Sequence, residues 1–172
     1  MALRDKVIEE AEKWVGYLEK ASNSQLESKT ANAGYNNYTI FAKWYKEYFG
    51  EDFQAQPWCA MFVSWCANES GFIQSGIIPK YSYCPNGVSW FRNKNAFHTE
   101  GSGYTPQPGD IVFFGPGGGS HTGIVVSSDA NNVYTIEGNT GNDSHTNTSD
   151  MVAERTRPRA TGYVYGYGTP AY

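Results

Sequence analysis

Charge is scarce in this 172-residue chain. Asp, Glu, Lys and Arg make up 17%, and 13 basic against 17 acidic residues leave a net charge of −4. That excludes a nucleic-acid binder working through global positive charge and electrostatic capture on an anionic surface. Long apolar runs are missing too; none approaches the ~18–20 residues of a membrane span. Met1 to Lys20 alternates charged and apolar residues and lacks the hydrophobic stretch of a signal peptide. Internal repeats and low-complexity linkers are absent. Cysteine is rare and odd in number, at Cys59, Cys66 and Cys84, so there is no disulfide framework. Two of the three could pair, Cys66 with Cys84 for example, which still leaves a free thiol. The C-x6-C spacing is wrong for a zinc knuckle, and no histidine lies near it in sequence.

What the chain does have is apolar and aromatic mass. Hydrophobic residues are 40% and aromatics 16%, enough to bury a core. The length fits a single domain over 1–172. Val7, Ala11, Trp14, Val15 and Leu18 form one apolar stripe, so residues 1–20 read as a helix. Residues 21–34 read as a polar loop. Residues 37–49 predict a second helix, with Ile40, Phe41, Trp44, Tyr45 and Tyr48 as a core-packing stripe. Pro57 opens a third helix, which Gly71 stops. Its sequence, PWCAMFVSWCANES, is apolar nearly all round and predicts burial. A shorter helix is expected over 85–95. After residue 100 the pattern changes to strands: 110–114, a hairpin of 122–127 with 133–137, and 163–167, with a polar loop from Gly138 to Asp150. Helices first and strands after indicate α+β with an antiparallel sheet.

Cys59 stands at the start of the buried helix. Free N–H groups and the helix dipole there favour a thiolate; a small core hydrophobe is the alternative reading. Cys66 lies two turns deeper and reads as packing. Cys84 reads as a loop residue with nothing to mark it as reactive. A cysteine nucleophile needs a base. His98 and His145 read as exposed. His121 begins a strand directly after GPGGG and Ser120, where a side chain can point into a cleft or serve structure. Glu137 ends the partner strand, YTIE, so a hairpin turning near Ala130 brings the two near each other. Glu137 can then orient the imidazole. Asn139 is either a further hydrogen-bonding partner or a turn residue after Gly138.

The segments PWCAMFVSWCANESGF, YTPQPGDIVFF, GGGSHTGIVV, YTIEGNTG and YGYGTPAY, in that order, resemble the CHAP family of cysteine, histidine-dependent amidohydrolases and peptidases. The resemblance covers a core over 51–172. Residues 1–50, a helical lead-in including YNNYTIFAKWY, more loosely resemble that of CHAP enzymes in phage endolysins and prophage-like elements of Gram-positive bacteria. It implies a papain-like (NlpC/P60-like) fold, with N-terminal helices on an antiparallel sheet. It implies Cys59 as nucleophile, His121 as general base, Glu137 as orienter and Asn139 as an auxiliary polar residue. It also implies a peptidoglycan substrate, cut at the muramoyl–L-alanine amide or within the stem peptide or cross-bridge.

Trp58, Tyr83, Trp90 and Tyr104 are the expected groove aromatics, though each is individually a core candidate. Some CHAP lysins carry an acidic calcium loop before the cysteine. Here Glu51 and Asp52 alone do not make a six-oxygen site, so neither metal nor cofactor is expected. The expected partner is bacterial peptidoglycan, with no nucleic acid and no integral membrane association. The chain is expected to act as a monomer or as a catalytic subunit with a separate wall-binding partner. Without a signal peptide, it is expected to reach the wall through phage holin lesions or another delivery route. A non-catalytic wall-binding module and a cysteine transacylase are the competing readings.

Overall fold

The computed structural model describes residues 1–141 and 149–172. Four helices come first: α1 (Leu3–Trp14), α2 (Ile40–Phe49), α3 (Cys59–Glu69) and α4 (Cys84–Asn93). Six strands follow: β1 (Phe97–Thr99), β2 (Ile111–Phe114), β3 (His121–Ser128), β4 (Asn132–Thr140), β5 (Met151–Pro158) and β6 (Val164–Gly168). They form one antiparallel sheet in the order β1-β6-β2-β3-β4-β5. This is the α+β arrangement expected from the sequence.

Local chemistry explains where the elements begin and end. Thr39 caps α2 by accepting from the Ala42 amide at 3.1 Å, and Gly50 closes it at φ 76°; only a residue without Cβ adopts that conformation freely. The first helix is shorter than its apolar stripe suggests. It stops at Trp14 because the next residues have another partner. The amides of Gly16 and Glu19 donate to the carbonyls of Val152 and Asp150 at 2.9 and 2.8 Å. The edge of β5 therefore draws this stretch out of the helix. Helix α3 begins at Cys59 rather than Pro57, with Trp58 as its N-cap residue.

Helix α3 is the centre of the packing. It lies against β3 and β4 on one side and α1 and α2 on the other, which is why its sequence is apolar nearly all round. Met61, Phe62 and Val63 are buried, each contributing roughly 1.5–3 kcal/mol. A Cβ on Gly138 of β4 would come within 2.7 Å of Phe62 and 2.9 Å of Trp58. Glycine there lets the first turn of α3 sit directly on the sheet. Strands β1 and β5 are additions to the sequence reading. The first is only three residues long. The second carries three charged residues, Glu154, Arg155 and Arg157, in eight (MVAERTRP), which leaves little apolar period. Most of the polar loop expected over Gly138 to Asp150, with His145, lies outside the described residues; Gly138 to Thr140 belong to β4.

Candidate active site

Cys59 is the first residue of α3, a helix without a side-chain cap. Its opening turn therefore presents backbone N–H groups beside the sulfur. The start of the helix is pinned by Trp58, which is 0% exposed. The Trp58 indole stacks on Phe41 at 5.6 Å and donates from Nε1 to Glu19 Oε1 at 3.1 Å. Glu19 also accepts from the Asn37 amide at 2.7 Å. The N-terminal lead-in thus sets the position of Cys59. Trp58 was expected to line a groove; its complete burial and its bond to a buried carboxylate make it an anchor instead.

His121 is the first residue of β3 and Glu137 stands near the far end of β4. The register pairs Ile124 with Ile136, which places Gly123 opposite Glu137. A Cβ on Gly123 would meet Glu137 Cγ at 2.6 Å. The Glu137 side chain crosses that space to reach the histidine, and its Oε1 lies 2.7 Å from His121 Nε2. With Nε2 occupied, Nδ1 is left to face Cys59, a neighbour that raises the affinity of the ring for its proton. The Thr122 backbone also favours the ionised form of the Cys59 sulfur. The structure brings Cys59, His121 and Glu137 together. Asn139 lies on a β-bulge in the left-handed region, at φ 54°. It lines the rim of the cleft beside His121, where Glu137 already holds Nε2.

Two partners were not legible in the sequence. Arg157, on β5, donates from Nε to Glu137 Oε2 at 3.0 Å and pairs with Oε1 through its second nitrogen. Glu137 is 0% exposed, and a buried carboxylate requires such a counter-charge. That requirement was the available signal, but β5 had to be placed before it could point to Arg157. The second partner is Cys84. It is not a loop residue but the first residue of α4, and its sulfur lies 3.9 Å from that of Cys59. All three cysteines are free, so the example pairing of Cys66 with Cys84 is replaced by a contact between Cys84 and Cys59.

The electrostatics follow from these contacts. The hydrogen bond from Cys84 outweighs burial and, with His121, holds the Cys59 thiol well below its ordinary range. The same bond, together with burial, pushes Cys84 up. Burial alone would lower His121. Hydrogen bonds to Cys59 and Glu137, and the negative charges of both, instead raise it to about 9. Burial would raise Glu137, but Arg157 first and His121 second hold it well below the carboxylate range. Both shifts favour the thiolate and imidazolium forms, supported by a carboxylate and a guanidinium. Cys66, by contrast, is pushed up by burial and stays a thiol.

The cleft at His121 has a volume of about 390 Å³ and is lined by Pro57, Ser120, Asn139, Arg155, Arg157 and Tyr163 among others. Across Pro57 lies a second cleft of about 600 Å³, bounded by Tyr83, Asn86, Gln56 and Glu51. Tyr83 is 61% exposed and is the one expected groove aromatic in such a position. Tyr163, unremarked in the sequence, stacks on Phe114 at 5.0 Å beside the histidine. Trp90 packs edge-on against Phe91 under Lys94, outside both clefts. Tyr104 bonds Asp110 at 2.7 Å and stacks on His98 at 4.2 Å. That stack also makes His98 a half-buried strand residue rather than an exposed one. Among the described residues, no three His, Cys, Asp or Glu side chains are placed to hold a metal ion. Glu51 and Asp52 pair with Lys80 and Lys46 at 3.2 and 3.1 Å. No helix among the described residues is long and apolar enough to cross a membrane.

Comparison with known proteins gives a family and a fold. The CHAP domain family matches residues 51–139, just over half of the chain. No curated protein matches the chain. Three solved structures share the fold over 99% of the chain, each with a TM-score of 0.50. They are the peptidoglycan hydrolase RipB from Mycobacterium tuberculosis (15% identity), a hypothetical invasion protein of Mycobacterium tuberculosis (16%) and Ly7917 (17%). The chain spans 66%, 63% and 63% of their respective lengths.

Proposed function

This chain belongs to the CHAP domain family, and from that premise we propose that it is a cysteine hydrolase cleaving an amide bond in bacterial peptidoglycan. The bond is the muramoyl–L-alanine amide or one within the stem peptide or cross-bridge. The observation that carries this is the contact chain Cys59–His121–Glu137 at the uncapped start of α3. A neighbour of the same fold described as a peptidoglycan hydrolase supports the choice of substrate.

In the proposed reaction the Cys59 thiolate attacks the amide carbonyl. Backbone N–H groups of the first turn of α3, that of Cys59 included, stabilise the oxyanion. The His121 imidazolium protonates the leaving amine. Neutral His121 then takes a proton from water, which releases the thioester as a carboxylic acid. Glu137 keeps the ring oriented throughout, and Arg157 keeps Glu137 ionised.

Purified peptidoglycan incubated with the protein, followed by mass spectrometry of the fragments, tests the proposal and names the bond cut. New carboxyl and amino ends are expected. Retention on the wall without new ends would make the chain a binding module. Acyl transfer to an added amine, in place of hydrolysis, would make it a transacylase.

Gly123→Ala offers a geometric check. Its Cβ would enter the space filled by Glu137 Cγ, and it would also meet the Ile136 carbonyl at 3.2 Å. The carboxylate must move off His121 to make room. A misplacement of about 1 Å at a catalytic group costs about 10²-fold in turnover. The circular dichroism spectrum should remain that of the parent. An alanine variant with parental turnover would show that the Glu137 contact does not set the rate.

A further inference from the structure

Cys59 and Cys84 stand in matching places: each is the first residue of a helix, and neither helix has a side-chain cap. Both thiols are buried and their sulfurs are 3.9 Å apart. A disulfide requires about 2.05 Å, so the atoms need to close by roughly 2 Å. Cys66, two turns along α3, has no such neighbour in the site.

We propose that Cys84 is a resolving thiol: a peroxide oxidises Cys59, and Cys84 then closes a reversible Cys59–Cys84 disulfide that switches the nucleophile off. The proposal goes beyond hydrolysis but rests on the reading of Cys59 as an ionised nucleophile.

The steps balance with hydrogen peroxide as oxidant. The Cys59 thiolate attacks one peroxide oxygen, the O–O bond breaks, and hydroxide leaves with the electron pair, taking a proton from the His121 imidazolium to become water. Cys59 is then a sulfenic acid. The Cys84 sulfur attacks the Cys59 sulfur, an S–S bond forms and the S–OH bond breaks. The departing hydroxide takes the Cys84 proton as a second water. Two thiols have lost two electrons and two protons to one peroxide. Access is no obstacle, because a sulfur that meets a substrate carbonyl also meets the smaller peroxide. Cys84 is held protonated chiefly by its bond to the Cys59 sulfur. Oxidation of Cys59 removes that thiolate and frees Cys84 to act. A thiol reductant reverses the bond and restores the pair.

The test uses the full chain, first reduced and then freed of reductant. It is titrated with hydrogen peroxide, remaining thiols are alkylated, and peptides are mapped without reduction. A peptide linking Cys59 to Cys84 is expected, also in Cys66→Ala. Turnover of wall fragments should be lost in step with the link and return with dithiothreitol. In Cys84→Ser the sulfenic acid has no resolving thiol and proceeds to the sulfinic acid, which dithiothreitol does not reverse. Each protein is compared with its own untreated activity. Absence of the linked peptide in the wild type, or full recovery of Cys84→Ser, overturns the proposal. If Cys84→Ser does not fold, the wild-type peptide map decides alone. A chain that forms the link but cuts no wall fragment refutes the hydrolase reading and leaves this one standing. An active chain that never forms the link does the reverse.

Discussion

Cys59→Ala should lower turnover of wall fragments by about 10⁶-fold, the size of loss seen when a nucleophile that works as a unit with its base is removed. Cys66→Ala should keep nearly all activity. The two residues share one helix, so the contrast isolates position from residue type. Cys59 has His121, the Thr122 amide and Cys84 around its sulfur, and its thiol is held well below the ordinary range. Cys66 is enclosed by apolar packing and pushed the other way. Its replacement should cost only about 1 kcal/mol of stability, the common scale of a small core change. Alkylation adds a second readout: iodoacetamide should modify Cys59 first and inactivate in proportion. Equal loss of activity in both variants, each with a native circular dichroism spectrum, would defeat the assignment of Cys59.

Much of this arrangement can be read in the sequence because the signals are local. Thr39 and Gly50 bracket an aromatic stripe, and α2 forms between them. The hairpin of β3 and β4 is set by two β-branched runs and the Asp129 turn. There the Asp129 carboxylate accepts from the amides of Asn131 and Asn132 at 2.8 and 2.7 Å. Once the hairpin forms, His121 and Glu137 lie near each other by register alone. Cys59 is legible for the same reason, since a helix start is a local property.

What the sequence hides is tertiary. Trp58 looks like a groove aromatic beside a nucleophile. Its burial depends on Glu19, 39 residues earlier in the chain. The end of α1 is set by β5, which follows more than a hundred residues later. Strand β5 escapes an apolar period search because Arg157, on that strand, serves a carboxylate and not the core. Cys84 is 25 residues from Cys59, and only the meeting of two helix starts makes it a partner. In each case a polar or sulfur contact across the fold decides the role, and no period of 2 or 3.6 records such a contact.

Arg157 also changes what removal of Glu137 should do. Glu137→Gln keeps the size and an acceptor but removes the charge that orients and favours the imidazolium. His121 itself survives, so the loss should be about 10²–10³-fold in turnover, smaller than for His121→Ala. The pH profile separates this from simple damage. In the parent, His121 is raised to about 9, in part by Glu137. The imidazolium is therefore present below about pH 9 and is lost above it, which sets the basic limb of the rate profile. Without the carboxylate the histidine releases its proton more readily, and the basic limb should move to lower pH. Stability should fall as well, because Arg157 loses the buried anion it pairs with, and a broken buried pair is costly. Turnover is therefore referred to the folded fraction. Arg157→Gln should lower turnover less than Glu137→Gln, since it acts on His121 only through Glu137. The double variant should be no slower than Glu137→Gln alone, because the carboxylate through which Arg157 acts on His121 is already gone; that non-additivity is the mark of one chain of contacts. Additive losses would mean that Arg157 works on the substrate directly, from its place in the wall of the His121 cleft. A folded Glu137→Gln with parental turnover and an unmoved basic limb would remove Glu137 from the mechanism altogether.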